Sequence, residues 1–122
     1  MVRGMSETLI YHLARAKEWQ AAEDAGVYRG SPEDRRDGFL HFSSAHAIQQ
    51  SAAKHRAGEA DLLLIEVNAD PIAADLKWEK SGSRGEVLFP HLYGDLPLSA
   101  VTRIAPLPLD EATGLHIFPD WF

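Results

Sequence analysis

With 122 residues, 45% apolar and 25% charged, the chain has the length and balance of one globular domain, not of a disordered segment. It has no cysteine, which excludes disulfides, thiolate zinc sites and a cysteine nucleophile. The net charge of −6 disfavours a long nucleic-acid partner, because such binding needs a basic face.

Met1 to Met5 is too short and too polar for a signal peptide, and Met5-Ser6 reads as a natural start. No run has the length of a membrane span, so a cytoplasmic protein with no membrane partner is expected. Arg35-Arg36 and Lys54-His55-Arg56 are short basic clusters that read as solvated surface. A small anionic ligand in a local pocket is still compatible with this charge.

The elements follow in chain order. Residues 8–13 alternate and carry β-branched and aromatic side chains, which predicts a first strand with Leu9, Tyr11 and Leu13 facing the core. Ile10 and His12 share its other face. Residues 14–25 read as a helix burying Trp19, Ala22 and Ala25, stopped by Gly26. Ser31-Pro32-Glu33-Asp34 has the cap-then-proline order of a short helix start. Residues 39–42 predict a second strand, entered through Gly38. Ser43 or Ser44 then caps a helix over about residues 45–57, with Ala45, Ile48 and Ala52 inward and Gly58 at its end.

Residues 62–67 are apolar on both sides, as in a central strand buried under two layers. Asp70-Pro71 opens a turn or short helix, and residues 76–79 form a short edge strand. Residues 80–86 have the composition of a mobile loop. Val87-Leu88-Phe89 followed by Pro90-His91-Leu92-Tyr93-Gly94 is a strand ending in a turn, and residues 98–104 make the last strand. A tail with Pro106, Pro108 and Pro119 wraps the surface, pinned by Trp121 and Phe122. One α+β domain over residues 1–122 is expected, its core about residues 8–105 and its tail 106–122.

Three segments concentrate chemistry: Tyr11-His12, Phe39 to Ser44, and Phe89 to Gly94. Each places a histidine on or at the end of a strand, where a rigid backbone aims the ring. His41 and His91 are therefore expected in one cleft with His12 at its edge, and His46 and His55 outside it. A helix opening at Ser43-Ser44 would present free amides to a phosphate- or ribose-bearing ligand. No helical His-x-x-x-His pair is present, so no metal is expected of His12, His41, His91 and Glu79.

Ile10-Tyr11-His12, the Trp19 helix, Gly26-Val27-Tyr28, Gly38 to Ser43, the strand at 62–65, residues 76–79 and Phe89 to Gly94 occur in the order of a known family. Over about residues 9–104 the chain resembles the bacterial and plant family called domain of unknown function 952. The resemblance implies a split antiparallel β-sheet with two main helices, the ADP-ribosyltransferase-like superfold shared with RNA 2′-phosphotransferases. It further implies NAD or a related nucleotide as ligand. His12 would hold a ribose; Ser43 would sit beside the nicotinamide, with His41 close by as a catalytic candidate. Glu79 or Glu86 would face the developing positive charge as the nicotinamide bond breaks. His91 would join the ligand-binding set, and Trp78, Tyr93 and Phe42 could stack on a base. Phe-Pro-His-Leu-Tyr-Gly at 89–94 departs from the superfold's usual triad, which leaves the carboxylate open between Glu79 and Glu86. The alternative is a non-catalytic module of the same fold that binds a small ligand or a protein.

Overall fold

The computed structural model describes residues 8–81, 85 and 87–122. The first half of the chain contains β1 (Leu9–Arg15), α1 (Ala16–Ala25), β2 (Val27–Tyr28), α2 (Pro32–Asp37), β3 (Leu40–His41) and α3 (Ile48–His55). The second half contains β4 (Leu62–Asn68), β5 (Leu76–Lys80), β6 (Leu88–Leu92), β7 (Leu96–Pro97) and β8 (Val101–Leu107). The strands form antiparallel sheets β1-β4-β8 and β3-β6-β5, with a small β2-β7 ribbon, so the architecture is α+β. Among the described residues, no helix is long and apolar enough to cross a membrane.

β4 is apolar on both faces because it is central and covered on both sides. Ile65 and Val67 join one core with Ile10, Ala14, Trp19, Tyr28, Leu40 and Leu92. Leu62 and Leu64 join a second with Tyr11, Ile48 and Leu107. Each fully buried Leu or Ile contributes roughly 1.5–3 kcal/mol relative to leaving it exposed. β1 accordingly buries both faces, and its even face is the deeper. Ile10 is 0% exposed whereas Leu9, expected inward, is 38% exposed at the strand end. β1 also pairs as far as Arg15, opposite Leu62, which delays α1 to Ala16. Trp19 and Ala22 are buried as expected, but Ala25 in the last turn is exposed. Gly26 supplies the left-handed backbone (φ 83°) that ends α1.

α2 starts with a capping box: the Ser31 hydroxyl accepts from the Asp34 N–H, and the Asp34 carboxylate accepts from the Ser31 N–H. The helix expected to start at Ser43 or Ser44 starts later, at Ile48, with Ala45 exposed and no side-chain cap. Ser43 cannot serve as a cap because its backbone bridges to Tyr11, with both N–H···O bonds at 2.8 Å. The last strand also differs. Leu98–Ala100 is a short 3-10 turn, and β8 runs from Val101 through Pro106 to Leu107. β8 lies at the sheet edge, where a residue without N–H is tolerated. The tail is pinned as expected: Phe122 packs edge-on to Tyr11 at 5.2 Å, and Arg103 covers Trp121 at 4.6 Å.

The segment 40–43 divides the fold. It pairs with β6 through Leu40 and His41, and Phe42 N–H donates to the Pro90 carbonyl at 3.0 Å. Pro90 has no N–H to return that bond, so the ladder ends there. One residue later Ser43 turns its backbone to β1. Between these attachments the two larger sheets part and a cleft opens.

Candidate functional site

Alternate residues of a strand point their N–H and C=O to opposite sides, so the His41 backbone faces β1, not β6. The β1 backbone bridges to the segment at Ser43, and two side chains take the place of a ladder at His41. Its N–H donates to Asp34 Oδ1 (3.1 Å), and its carbonyl accepts from His12 Nδ1 (2.6 Å). That carbonyl can only accept, so His12 carries its proton on Nδ1. The other nitrogen, Nε2, then accepts from the Tyr28 hydroxyl at 2.7 Å. Burial holds His12 below the ordinary histidine value, which keeps the ring neutral in this arrangement. Burial likewise pushes the Tyr28 phenol up.

Asp34 is 3% exposed and joins α2 to β3. Oδ2 accepts from Ser31 N–H (2.8 Å) and Ser31 Oγ (2.9 Å); Oδ1 accepts from His41 N–H and from His41 Nδ1 at 2.5 Å. Burial alone would raise its carboxyl, but the hydrogen bonds from His41 and Ser31 hold it well below the usual carboxylate range. Gly30 makes room for this junction with φ 92°, and a Cβ there would overlap Leu40 Cδ2 and lie 2.7 Å from Asp34 Cβ. On the far side of the His41 ring, Nε2 lies 3.0 Å from Asp37 Oδ2. Both ring nitrogens thus face carboxylates.

The cleft has a volume of about 340 Å³. Its wall includes His12, His41, His91, Ser43, Asp34 and Asp37, with Arg36, His55 and Arg56 also facing the space and Phe42 and Phe89 supplying apolar surface. The His41 and His91 rings, paired across β3 and β6, lie edge to face at 5.7 Å. Phe39 stacks on His91 at 4.1 Å and contacts His41 and Tyr93. Deeper in, Ser43 Oγ hydrogen-bonds Ser51 Oγ at 2.9 Å. Glu33, also on the wall, is neutralised by a two-pronged contact from Arg15 (3.0 and 3.1 Å), which holds its carboxyl down at about 2.

His12, Ser43, His41 and His91 therefore converge, as the strand positions predict. His46 is exposed and away from the cleft wall, but His55 is on it, contrary to expectation. The end of α3, with His55 and its C-cap Arg56, lines the opening, whereas the helix starts only at Ile48. That start means that Ser43-Ser44 present no helix N-terminus to a ligand. Glu79, Trp78 and Tyr93 are not among the described residues of the wall. Glu79 Oε1 instead accepts from Tyr93 OH (2.7 Å) and His91 Nδ1 (2.8 Å), and these two bonds hold its carboxyl below the ordinary value. The same contact pushes the Tyr93 phenol up. Strand alternation turns Trp78, opposite Pro90, to the face away from Glu79 and His91. Glu86 lies outside the described residues.

Asp34, Asp37, Tyr28, Ser51 and Arg56 were not legible as site residues. Only the Ser-x-x-Asp capping signal hinted that Asp34 is fixed, and it said nothing of His41. Among the described residues, no group of three or more His, Asp or Glu is arranged to hold a metal ion.

An α+β domain split at Pro90, with strand histidines on a shared cleft, is the class of protein that the geometry defines. Residues 13–104 match the family described as protein of unknown function (DUF952), and the chain belongs to that family. It is similar to CC0527 from Caulobacter crescentus: 47% identical to the crystal structure, with a TM-score of 0.84 over 90% of this chain and 94% of that one. The solution structure of CC0527 gives a TM-score of 0.74 over 86% and 89% of the two chains. No curated protein matches the chain significantly.

Proposed function

We propose that the cleft binds a ribose- and phosphate-bearing ligand of the nucleotide class, NAD first among them, in an ADP-ribosyltransferase-like domain. The observation that carries this reading is the set of polar groups at the split. His41 and His91 face a space bounded by Ser43, Arg36 and Arg56, with Phe42 and Phe89 beside them. Hydroxyl and imidazole groups suit a ribose, guanidinium groups suit phosphate, and flat apolar rings suit a base. The volume is at the small end of ligand pockets, roughly 300–1,000 Å³, so one nucleotide half would be enclosed and the remainder would lie in the mouth.

His41, held by Asp34, is the foremost ligand contact. His12 is buried and donates to the His41 carbonyl, so its role is to hold the His41 backbone. Thermal unfolding and NMR shifts with NAD, ADP-ribose, ADP and nicotinamide test the reading. A ligand at a hundredfold its Kd should add about 2.7 kcal/mol. His41→Ala should abolish that gain while unfolding cooperatively. If no nucleotide stabilises the wild type, the proposal fails.

A second reading, the non-catalytic module, is favoured by the direction of Glu79, which turns to His91 and Tyr93 instead of the cleft. If the domain does break a glycosidic bond, Glu79→Gln should lower turnover on the order of a hundredfold with ligand affinity unchanged. Binding without turnover by the wild type would establish the module.

A further inference from the structure

Three polar groups at the mouth of the cleft, Asp37, Arg36 and His41, are already arranged as an anion and its clasp. Asp37 Oδ2 lies 3.0 Å from His41 Nε2, and Asp37 Oδ1 accepts from Arg36 Nε at 3.1 Å. One carboxylate thus occupies two donors on the cleft wall, and these are donors that would otherwise point at a ligand. The position of Asp37 is unfavourable for its own helix. It is the last residue of α2, where the partial negative charge of the helix end repels a carboxylate. Its hold therefore comes from Arg36 and His41, and both partners are solvent-accessible at the mouth. The Arg36 contact also keeps the Asp37 carboxyl below its ordinary value, so it is ionised at neutral pH.

We infer that Asp37 is an internal stand-in for a ligand phosphate oxygen, and that phosphate binding displaces it from His41 Nε2 and Arg36. The inference rests on the nucleotide reading and adds selectivity to it. A neutral ligand group gains little by replacing a carboxylate on a guanidinium and an imidazole donor. A phosphate oxygen offers these donors equal or greater charge than the carboxylate does. Asp34 stays on Nδ1 throughout and keeps the His41 ring aimed at the opening.

Pyrophosphate is the probe, titrated into 15N-labelled wild type, Asp37→Asn and the double variant Asp37→Asn/Arg36→Gln, with the ring-nitrogen signals of His41 as the readout. Asp37 is a surface residue, and a matched thermal unfolding curve confirms that the variants are folded. The expected result is saturable movement of the Nε2 signal in the wild type and severalfold tighter binding in Asp37→Asn. The double variant should weaken again, and adenosine should bind wild type and Asp37→Asn alike. Equal or weaker pyrophosphate binding in Asp37→Asn overturns the inference. So does an Nε2 signal that pyrophosphate fails to move in either protein. In that second case the nucleotide reading would still stand if NAD stabilised the wild type, so the two failures are distinguishable.

Discussion

Replacing Asp34 by asparagine keeps the side-chain shape and removes the charge at the junction of α2 and β3. The carboxylate accepts from two donors on Ser31 and two on His41, at 2.5–3.1 Å. A carboxamide can keep one oxygen on the His41 pair, but its NH2 then meets the Ser31 N–H, donor against donor. Hydrogen bonds to charged groups are worth about 1.5–3 kcal/mol each, so losing one and weakening the others should cost about 3 kcal/mol. For a domain of this size that is a fall of about 10 °C in Tm. Urea unfolding at a series of pH values checks the sign as well as the size. Because the Asp34 carboxyl is held low in the folded state, the unfolded state binds more protons on acidification. Its stabilisation is complete above the ordinary carboxyl range, near pH ~4, and is lost as pH falls through the lower folded value. The gap between wild type and Asp34→Asn should be widest near neutrality and narrow below about pH 4. A gap under about 1 kcal/mol at neutrality, or one that grows on acidification, would refute the reasoning.

Tyr28→Phe should cost about 1–3 kcal/mol in urea unfolding, because it leaves His12 Nε2 buried without a donor; a neutral result would mean water replaces the hydroxyl. Gly30→Ala should destabilise by about 2 kcal/mol or more, since φ 92° and the overlap with Leu40 both oppose a Cβ; an unchanged Tm would count against this packing. Tyr11 should ionise at about 12, raised by burial and by its 2.9 Å bond to Glu66. Tyrosinate absorbance would show this, and Glu66→Gln should bring the value down; titration at the ordinary value in wild type would contradict the buried contact.

The local elements could be read directly from side-chain pattern. Ile10 to Leu13, the apolar run of β4 and the edge strand β5 follow the period and β-branching that a pleated, partly buried surface selects. The ends of α1 and α2 follow from Gly26 and from the Ser31-Pro32 start, because caps and glycines act within a few residues. Membership of the family was legible for the same reason: its motifs are short and keep their order. Three histidines on strands also pointed to a common cleft, and the pairing of His41 with His91 realises it.

What only the tertiary structure decided depends on partners distant in sequence. Which face of β1 is deeper depends on both cores around β4, and local alternation cannot report two covered faces. Ser43 resembles a helix cap until Tyr11, 32 positions earlier by sequence number, takes its backbone into a bridge. Pro90 in a central strand gives no local sign that it ends a ladder, because the missing bond belongs to Phe42. Asp34 is the clearest case. Its sequence neighbours explain a helix cap, but its charge is held by His41, which arrives from the next strand. A hydrogen bond between segments is fixed by the packing that brings them together, and that information resides in the whole chain.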